Sequence, residues 1–245
     1  MTSDLIIGII PARYESTRLP GKLLADIGGK SLIRRVYEQT LKSKLLTQVL
    51  VATDDKRIYD AVFGFGGEAV MTSKKHKSGT DRIVEAVKGI NCDIVVNIQG
   101  DEPFIDPTDI DRAVQPLVKR KKLNVATLAV RIKELQELRD PHAVKVILDA
   151  KENAIYFSRG VIPFSEKPDV KKNKYYKHIG LYAYRKDFLK KFTKTKQSEL
   201  EKVEKLEQLR ILSMGEKIRV TITKKDSIGI DTKADLARAR KLVKG

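Results

Sequence analysis

Apolar and polar positions follow two rhythms along this chain, and the rhythms set the order of its elements. Continuous apolar runs rich in β-branched residues mark strands covered on both faces: LIIGII at 5–10, QVLVAT at 48–53 and DIVVNI at 93–98. Further strands are expected near 68–71, 124–131, 143–149, 154–158, 177–184 and 218–222. Helices are expected near 31–43, 55–64, 80–88, 107–119, 186–192, 199–214 and 232–243. In the first helix Leu32, Ile33, Val36, Thr40 and Leu41 form the buried stripe and Ser31 is the N-cap. In 199–214 the stripe is Leu200, Val203, Leu206 and Leu209, with Glu207 and Gln208 beside it. Strand and helix alternate through the first half, which predicts an α/β fold with a mainly parallel central sheet flanked by helices. The stretch 124–184 is richer in strands and is expected to add antiparallel strands and a smaller lobe. The chain reads as one domain, 1–245, with its strand-rich part near 124–215.

Charge narrows the class of partner. The 245 residues include 49 Lys and Arg against 32 Asp and Glu, a net charge of +17, which suggests an anionic partner. The basic residues are scattered and few aromatics lie among them, so a solvated surface is favoured over a nucleic-acid footprint. KRKK at 119–122 complements the end of a helix. Cys92 is the only cysteine, which excludes a disulfide framework and a Cys-based metal site. No apolar run approaches the roughly 20 residues that span a bilayer, and MTSD lacks the basic start of a signal peptide. A cytoplasmic protein without stable membrane insertion is expected.

Candidate chemistry begins directly after the first strand. PARYESTRLPGKLL (11–24) is a long strand-to-helix loop carrying Arg13, Arg18 and Lys22. It lies at the C-terminal end of its strand, where open α/β sheets bind ligands. Pro20-Gly21 marks a turn, but a turn does not require three cations. Guanidinium groups bind phosphate oxygens in pairs and an ammonium acts as a point charge, so the loop suits a triphosphate. GGKS (28–31) is not a Walker A motif, because the first glycine of that pattern falls at Leu24. It reads as a Gly-Gly turn before the Ser31 cap.

NIQGDEP (97–103) places Asp101 and Glu102 at the end of an apolar strand. The next helix has its own start signal in Asp106 and Pro107, so the pair is not needed as a cap. A hard cation such as Mg²⁺ takes one or two carboxylates plus phosphate oxygens, which suits this loop. Asp231 in GIDT (229–232) precedes the last helix, where Asp or Thr is an ordinary N-cap. Paired with Asp101, it is a candidate second metal ligand. HKSGTDR (76–82) opens a helix; it reads equally as a capping segment with Ser78 or Thr80 at the N-cap, or as a site where N–H groups with Ser78, Gly79 and Arg82 hold a base or a phosphate. In KHIGLYAYR (177–185), alternation puts His178, Gly180 and Tyr182 on one face, fit for a hydroxylated acidic substrate or for an amphipathic edge strand.

Taken in order, PARYESTRLPGK, VATDD, HKSGTDR, NIQGDEP, DPHAVKVI, YFSRGVIPF, KHIGLYAYR, LEQLR, GEKI and GIDT resemble the 3-deoxy-manno-octulosonate (KDO) cytidylyltransferases, also called CMP-KDO synthetases. The likeness runs from Ile9 to about Leu236. The first loop is shared among sugar-activating nucleotidyltransferases, whereas KHIGLYAYR with LEKVEKLEQLR is more specific. The resemblance implies a nucleotide-diphospho-sugar transferase-like fold, usually a homodimer, with sugar binding and dimerisation in the part near 124–215. It implies transfer of CMP from CTP to KDO, with Mg²⁺ required and pyrophosphate released, to supply lipopolysaccharide synthesis. On matching positions it puts Arg13, Ser16, Arg18 and Lys22 on the CTP phosphates, and Ser78, Gly79, Arg82 and Gln99 in or near the cytidine pocket. It puts Asp101 and Asp231 on magnesium, and Arg159, His178, Tyr182, Glu207 and Gln208 around KDO. Lys22, Arg13 and Asp101 are the expected catalytic groups. A cytidylyltransferase for another acidic sugar, an amino-substituted KDO or a sialic-type acid, would share the phosphate half.

Overall fold

The apolar run at 5–10 forms β1 (Ile6–Ala12), buried along its length except for a half-buried Pro11. Its position explains its composition. In this computed structural model β1 runs parallel between β2 (Gln48–Thr53) and β4 (Ile94–Asn97), and a central parallel strand is covered on both faces. Ile9 and Ile10 are fully buried, and each such side chain contributes ~2 kcal/mol of apolar burial. β2 pairs in turn with β3 (Ala69–Met71), giving the parallel order β3-β2-β1-β4. The structure describes residues 4–16, 19–76, 78–226 and 228–244. The chain divides into two units, Met1–Asp111 with Ser227–Gly245, and Arg112–Asp226.

Helices α1 (Leu32–Thr40), α2 (Lys56–Gly64) and α3 (Gly79–Ala86) belong to the first unit. The Gly-Gly turn forms as expected, with both glycines at positive φ, and the Ser31 hydroxyl caps α1 by accepting from Arg34 N. The stripe Leu32, Ile33, Val36 and Thr40 is buried, joined by Tyr37. Leu41 departs from expectation: α1 stops at Thr40, and Leu41, at the C-cap, projects into solvent.

α4 (Pro107–Lys119) leads from the first unit into the second, and Asp106 Oδ1 accepts from Thr108 N at its start. In the second unit β5 (Val125–Arg131) runs antiparallel to β8 (Tyr176–Arg185) and parallel to β9 (Ile218–Thr223). β6 (Lys145–Leu148) pairs antiparallel with β7 (Ala154–Ser158). The short α5 (Leu135–Arg139), absent from the sequence reading, and α6 (Lys186–Lys194) complete this part. Strict alternation along β8 does not hold, because the register with β5 shifts between the Thr127–Tyr182 and Leu128–Ile179 pairs. The His178 and Tyr182 rings nevertheless lie 5.2 Å apart.

The single helix expected over 199–214 is two, α7 (Glu199–Glu204) and α8 (Gln208–Ser213), separated at Lys205, whose φ is 54°. A left-handed residue ends an α-helical ladder. The apolar stripe breaks with it: Leu206 and Leu209 are buried, while Leu200 and Val203 are exposed. A polar contact takes over in α7. Glu201 turns inward to a buried pairing with Arg210 at 2.9 Å, and also closes a capping box with Ser198. The last helix, α9 (Lys233–Lys244), returns to the first unit. No helix among the described residues is long and apolar enough to cross a membrane.

Candidate active site

Strand order in the first unit switches direction at β1 and β4, and the loops after those two strands bound a cleft, the place where open parallel sheets bind ligands. The cleft has a volume of about 480 Å³ and is lined by Pro11, Arg13, Ser16 and Lys22 from the first loop, by Gln99, Gly100 and Asp101 from the second, and by Gly79 and Asp231. The loops approach closely at Gly100, where a Cβ would stand 3.1 Å from the Pro11 carbonyl oxygen. Any larger residue there would push the two loops apart.

Lys22 is the centre of the cleft. Gly21, at φ 67°, leads into a single 3-10 turn, Lys22–Leu24, that points the lysine inward. Its Nζ donates to Asp101 Oδ2 at 2.7 Å, Asp231 Oδ1 at 3.0 Å and the Ile230 carbonyl at 3.1 Å. An ammonium has three donors, and all three are used. Ile230 N in turn donates to the Asp101 carbonyl at 2.9 Å, which ties the two acidic loops together. Burial works to lower the Lys22 pKa, but Asp101 and Asp231 outweigh it and hold the pKa above its ordinary value.

Asp231 is available for this role because another residue caps α9. The Thr232 hydroxyl accepts from Asp235 N, and the Asp235 carboxylate accepts from Thr232 N. Of the two N-cap candidates, the structure selects Thr232. Three hard oxygens thus converge on one cation, the Lys22 ammonium. Two carboxylates leave the rest of an octahedral shell to phosphate oxygens and water, a donor set that fits magnesium.

Other expected residues take more varied places. Arg13 is held by the His76 carbonyl, which accepts from its Nη2 at 2.8 Å. Ser16 lines both this cleft and an adjoining hollow of about 600 Å³. The Ser78 hydroxyl caps α3 by accepting from Asp81 N. Arg18 lies outside the described residues. Arg82 is fully buried inside α3, donating to Asp54 Oδ2 at 2.7 Å and to the Thr72 hydroxyl. Its partner Asp54 lines the hollow. The sequence reading also missed Tyr14 and Arg57. The Arg57 guanidinium stacks 3.3 Å over the Tyr14 ring and is bidentate on Asp55, which pins the basic loop to the start of α2. No periodicity signals such a contact; only the aromatic inside an otherwise polar loop hints at it.

In the second unit, His178 hydrogen-bonds the Thr127 hydroxyl at 3.1 Å and packs edge-on against Phe157. Desolvation lowers its pKa to about 3, so its imidazole is neutral at working pH. Tyr182 is buried, and among the described residues its hydroxyl meets no partner at full hydrogen-bond geometry, with Thr127 the near neighbour. Burial, then the charge of Glu207, raises its pKa well above the usual value. Gln208 is buried at the start of α8. Arg159 donates to the carbonyls of Pro141 and Glu204 at 3.0 and 2.9 Å.

The His178 shift has a sign that can be tested. Below the unfolded value near 6.5 the unfolded chain takes up a proton that the folded ring refuses. Its contribution is therefore whole above that pH and is lost as pH falls toward about 3, at about 1.4 kcal/mol per pH unit. His178→Asn is expected to show a shallower loss of stability between these limits in denaturant titrations. Equal slopes in the two proteins would contradict the assignment.

Residues 7–218 match the model of a family described as cytidylyltransferase. The chain is 49% identical over 245 residues to the 3-deoxy-manno-octulosonate cytidylyltransferase of Syntrophus aciditrophicus, covering 99% of this chain and 98% of that one. It is 46% identical over 248 residues to the protein of the same name from Trichlorobacter lovleyi, covering 98% of each. Among solved structures, CMP:2-keto-3-deoxy-manno-octonic acid synthetase complexed with CTP is similar with a TM-score of 0.93 at 43% identity, over 98% of each chain. 4-Diphosphocytidyl-2C-methyl-D-erythritol synthase from Anaerococcus prevotii shares the fold, with a TM-score of 0.66 at 16% identity.

Proposed function

The chain belongs to the cytidylyltransferases, and within them to the 3-deoxy-manno-octulosonate cytidylyltransferase family, and we propose on that footing that it transfers CMP from CTP to KDO. The observation that carries this reading is the meeting of Lys22, Asp101 and Asp231 in one cleft after β1 and β4. The anomeric hydroxyl oxygen of KDO forms a bond to the α-phosphorus. The α–β anhydride bond breaks, pyrophosphate leaves with the electron pair, and the hydroxyl proton passes to solvent. A bound triphosphate carries about four negative charges that must be neutralised and positioned. Arg13, steadied by the His76 carbonyl, and Lys22 face that charge, and Ser16 and the N-terminus of α3 at Gly79 add donors. Asp101 and Asp231 would hold magnesium, which when bound supplies Lewis-acid charge to the phosphate and to the attacking hydroxyl.

On the sugar side, the buried Tyr182 hydroxyl, without a well-formed hydrogen bond among the described residues, and the charge of Glu207 acting on it support recognition of a hydroxylated substrate. His178, being neutral, contributes a hydrogen bond rather than a charge. The product would serve as an activated sugar for lipopolysaccharide synthesis. Exposed Ile155, Phe164 and Val203 on the second unit support the homodimer that the resemblance implies, and the mass in solution is its test.

Pyrophosphate release is expected only when CTP, KDO and Mg²⁺ are all present, and EDTA is expected to stop it. Release with another ulosonic acid but not KDO would move the assignment to a related sugar. Silence with every sugar acid from folded protein would overturn it.

A further inference from the structure

Lys145, the first residue of β6, has no solvent exposure, yet among the described residues its ammonium meets carbonyls rather than a carboxylate. Its Nζ donates to two backbone carbonyls, Asp140 O at 2.8 Å and Arg159 O at 2.6 Å. A buried ammonium is expensive, and a leucine or methionine would fill the same space without that penalty. Desolvation indeed lowers its pKa, offset in part by Asp140 and Glu204. The two carbonyls belong to different segments, the exit of α5 and the exit of β7, and Lys145 bridges them.

The β7 exit is fastened a second time. The Glu204 carboxylate accepts from the Ser158 hydroxyl at 2.6 Å and from Arg159 N at 2.9 Å. The Arg159 side chain donates back to the Glu204 carbonyl at 2.9 Å and reaches toward that of Lys205. Glu204 is the last residue of α7, and Lys205 is the left-handed residue at which the chain turns. Glu207 and Gln208 follow that turn directly. Its direction therefore depends on a chain of contacts that begins at Lys145.

We propose that Lys145 and Glu204 are positioning residues for the sugar acid: they fix the Arg159 backbone and the turn at Lys205, so that Glu207 and Gln208 are presented in one arrangement. Neither touches substrate. The proposal rests on the sugar-acid reading above, but the clamp itself can be read without turnover.

Two variants test it, Lys145→Met and Glu204→Gln, each measured by amide hydrogen exchange and by steady-state kinetics. Lys145→Met is expected to lose protection at 158–160 and 204–208 while β1, β2 and β4 keep theirs. Its KM for KDO is expected to rise about tenfold with the KM for CTP within twofold; Glu204→Gln should move the same way, about threefold. A merely structural role would lower Tm and leave both KM values unchanged, and that result overturns the proposal. If Lys145→Met does not fold, Glu204→Gln decides alone. If the wild type turns over no sugar acid, the functional reading falls, and unchanged exchange at 158–160 and 204–208 in the variants would separately overturn the clamp.

Discussion

Lys22→Met is expected to lower kcat by about 10³-fold, on the order of 4 kcal/mol of transition-state stabilisation, while the fold stays intact. The two effects separate because the lysine's partners are wet. Asp101 and Asp231 keep 30% and 45% side-chain exposure, so water can solvate them once the ammonium is gone. The stability cost should then be ~1 kcal/mol. The charge lost from the phosphate cleft has no such substitute, since charge at the α-phosphate must already be in place when the bond breaks. The raised pKa keeps Lys22 charged at working pH. Its contribution to stability is whole below the ordinary value of 10.5 and disappears only as pH rises through the folded value. Activity loss in Lys22→Met is therefore expected at every pH from 6 to about 9, and kcat with a thermal melt checks both halves. Near-wild-type turnover in a folded variant would refute the phosphate role.

Arg82→Met should show the reverse balance, a loss of ~4 kcal/mol in stability, or roughly 8–16 °C in Tm. Arg82 has 0% exposure and its partner Asp54 17%, so removing the guanidinium strands a carboxylate where water hardly reaches. The Arg57–Asp55 pair is a useful contrast. Arg57 is 59% exposed, and truncating it should leave stability nearly unchanged, since water screens an exposed pair. A denaturant titration of Arg82→Met distinguishes the two roles considered for this residue. Unchanged stability with weakened CTP binding would return Arg82 to the nucleotide pocket.

The legible parts of this protein are those where one physical demand dominates a short segment. β1, β2 and β4 are central and parallel, so their residues must be apolar throughout, and the sequence says so. The acidic and basic loops were visible because their charge exceeded what turns and caps require. The α7–α8 break was hidden. Leu200, Val203, Leu206 and Leu209 keep helical spacing across it, and the residue that takes left-handed φ is a lysine rather than a glycine. The burial of Arg82 was hidden for a related reason. A cation in a polar, glycine-containing motif reads as surface chemistry, and the residues that bury it, Asp54 and Thr72, come from other segments. The Lys145 contacts join two neighbouring segments, and a lysine in an apolar strand gives no sign of which carbonyls it will meet.

The capping of α9 by Thr232 and Asp235 carries one more consequence. Neighbouring residues divide two duties here, one holding the helix and the other holding the cation. Asp231 can thus be altered without unwinding the helix behind it, and Thr232 without changing the charge of the cleft. Architecture and chemistry meet at a single peptide bond and remain separately adjustable, so this loop can drift in sequence on one side while the other stays fixed.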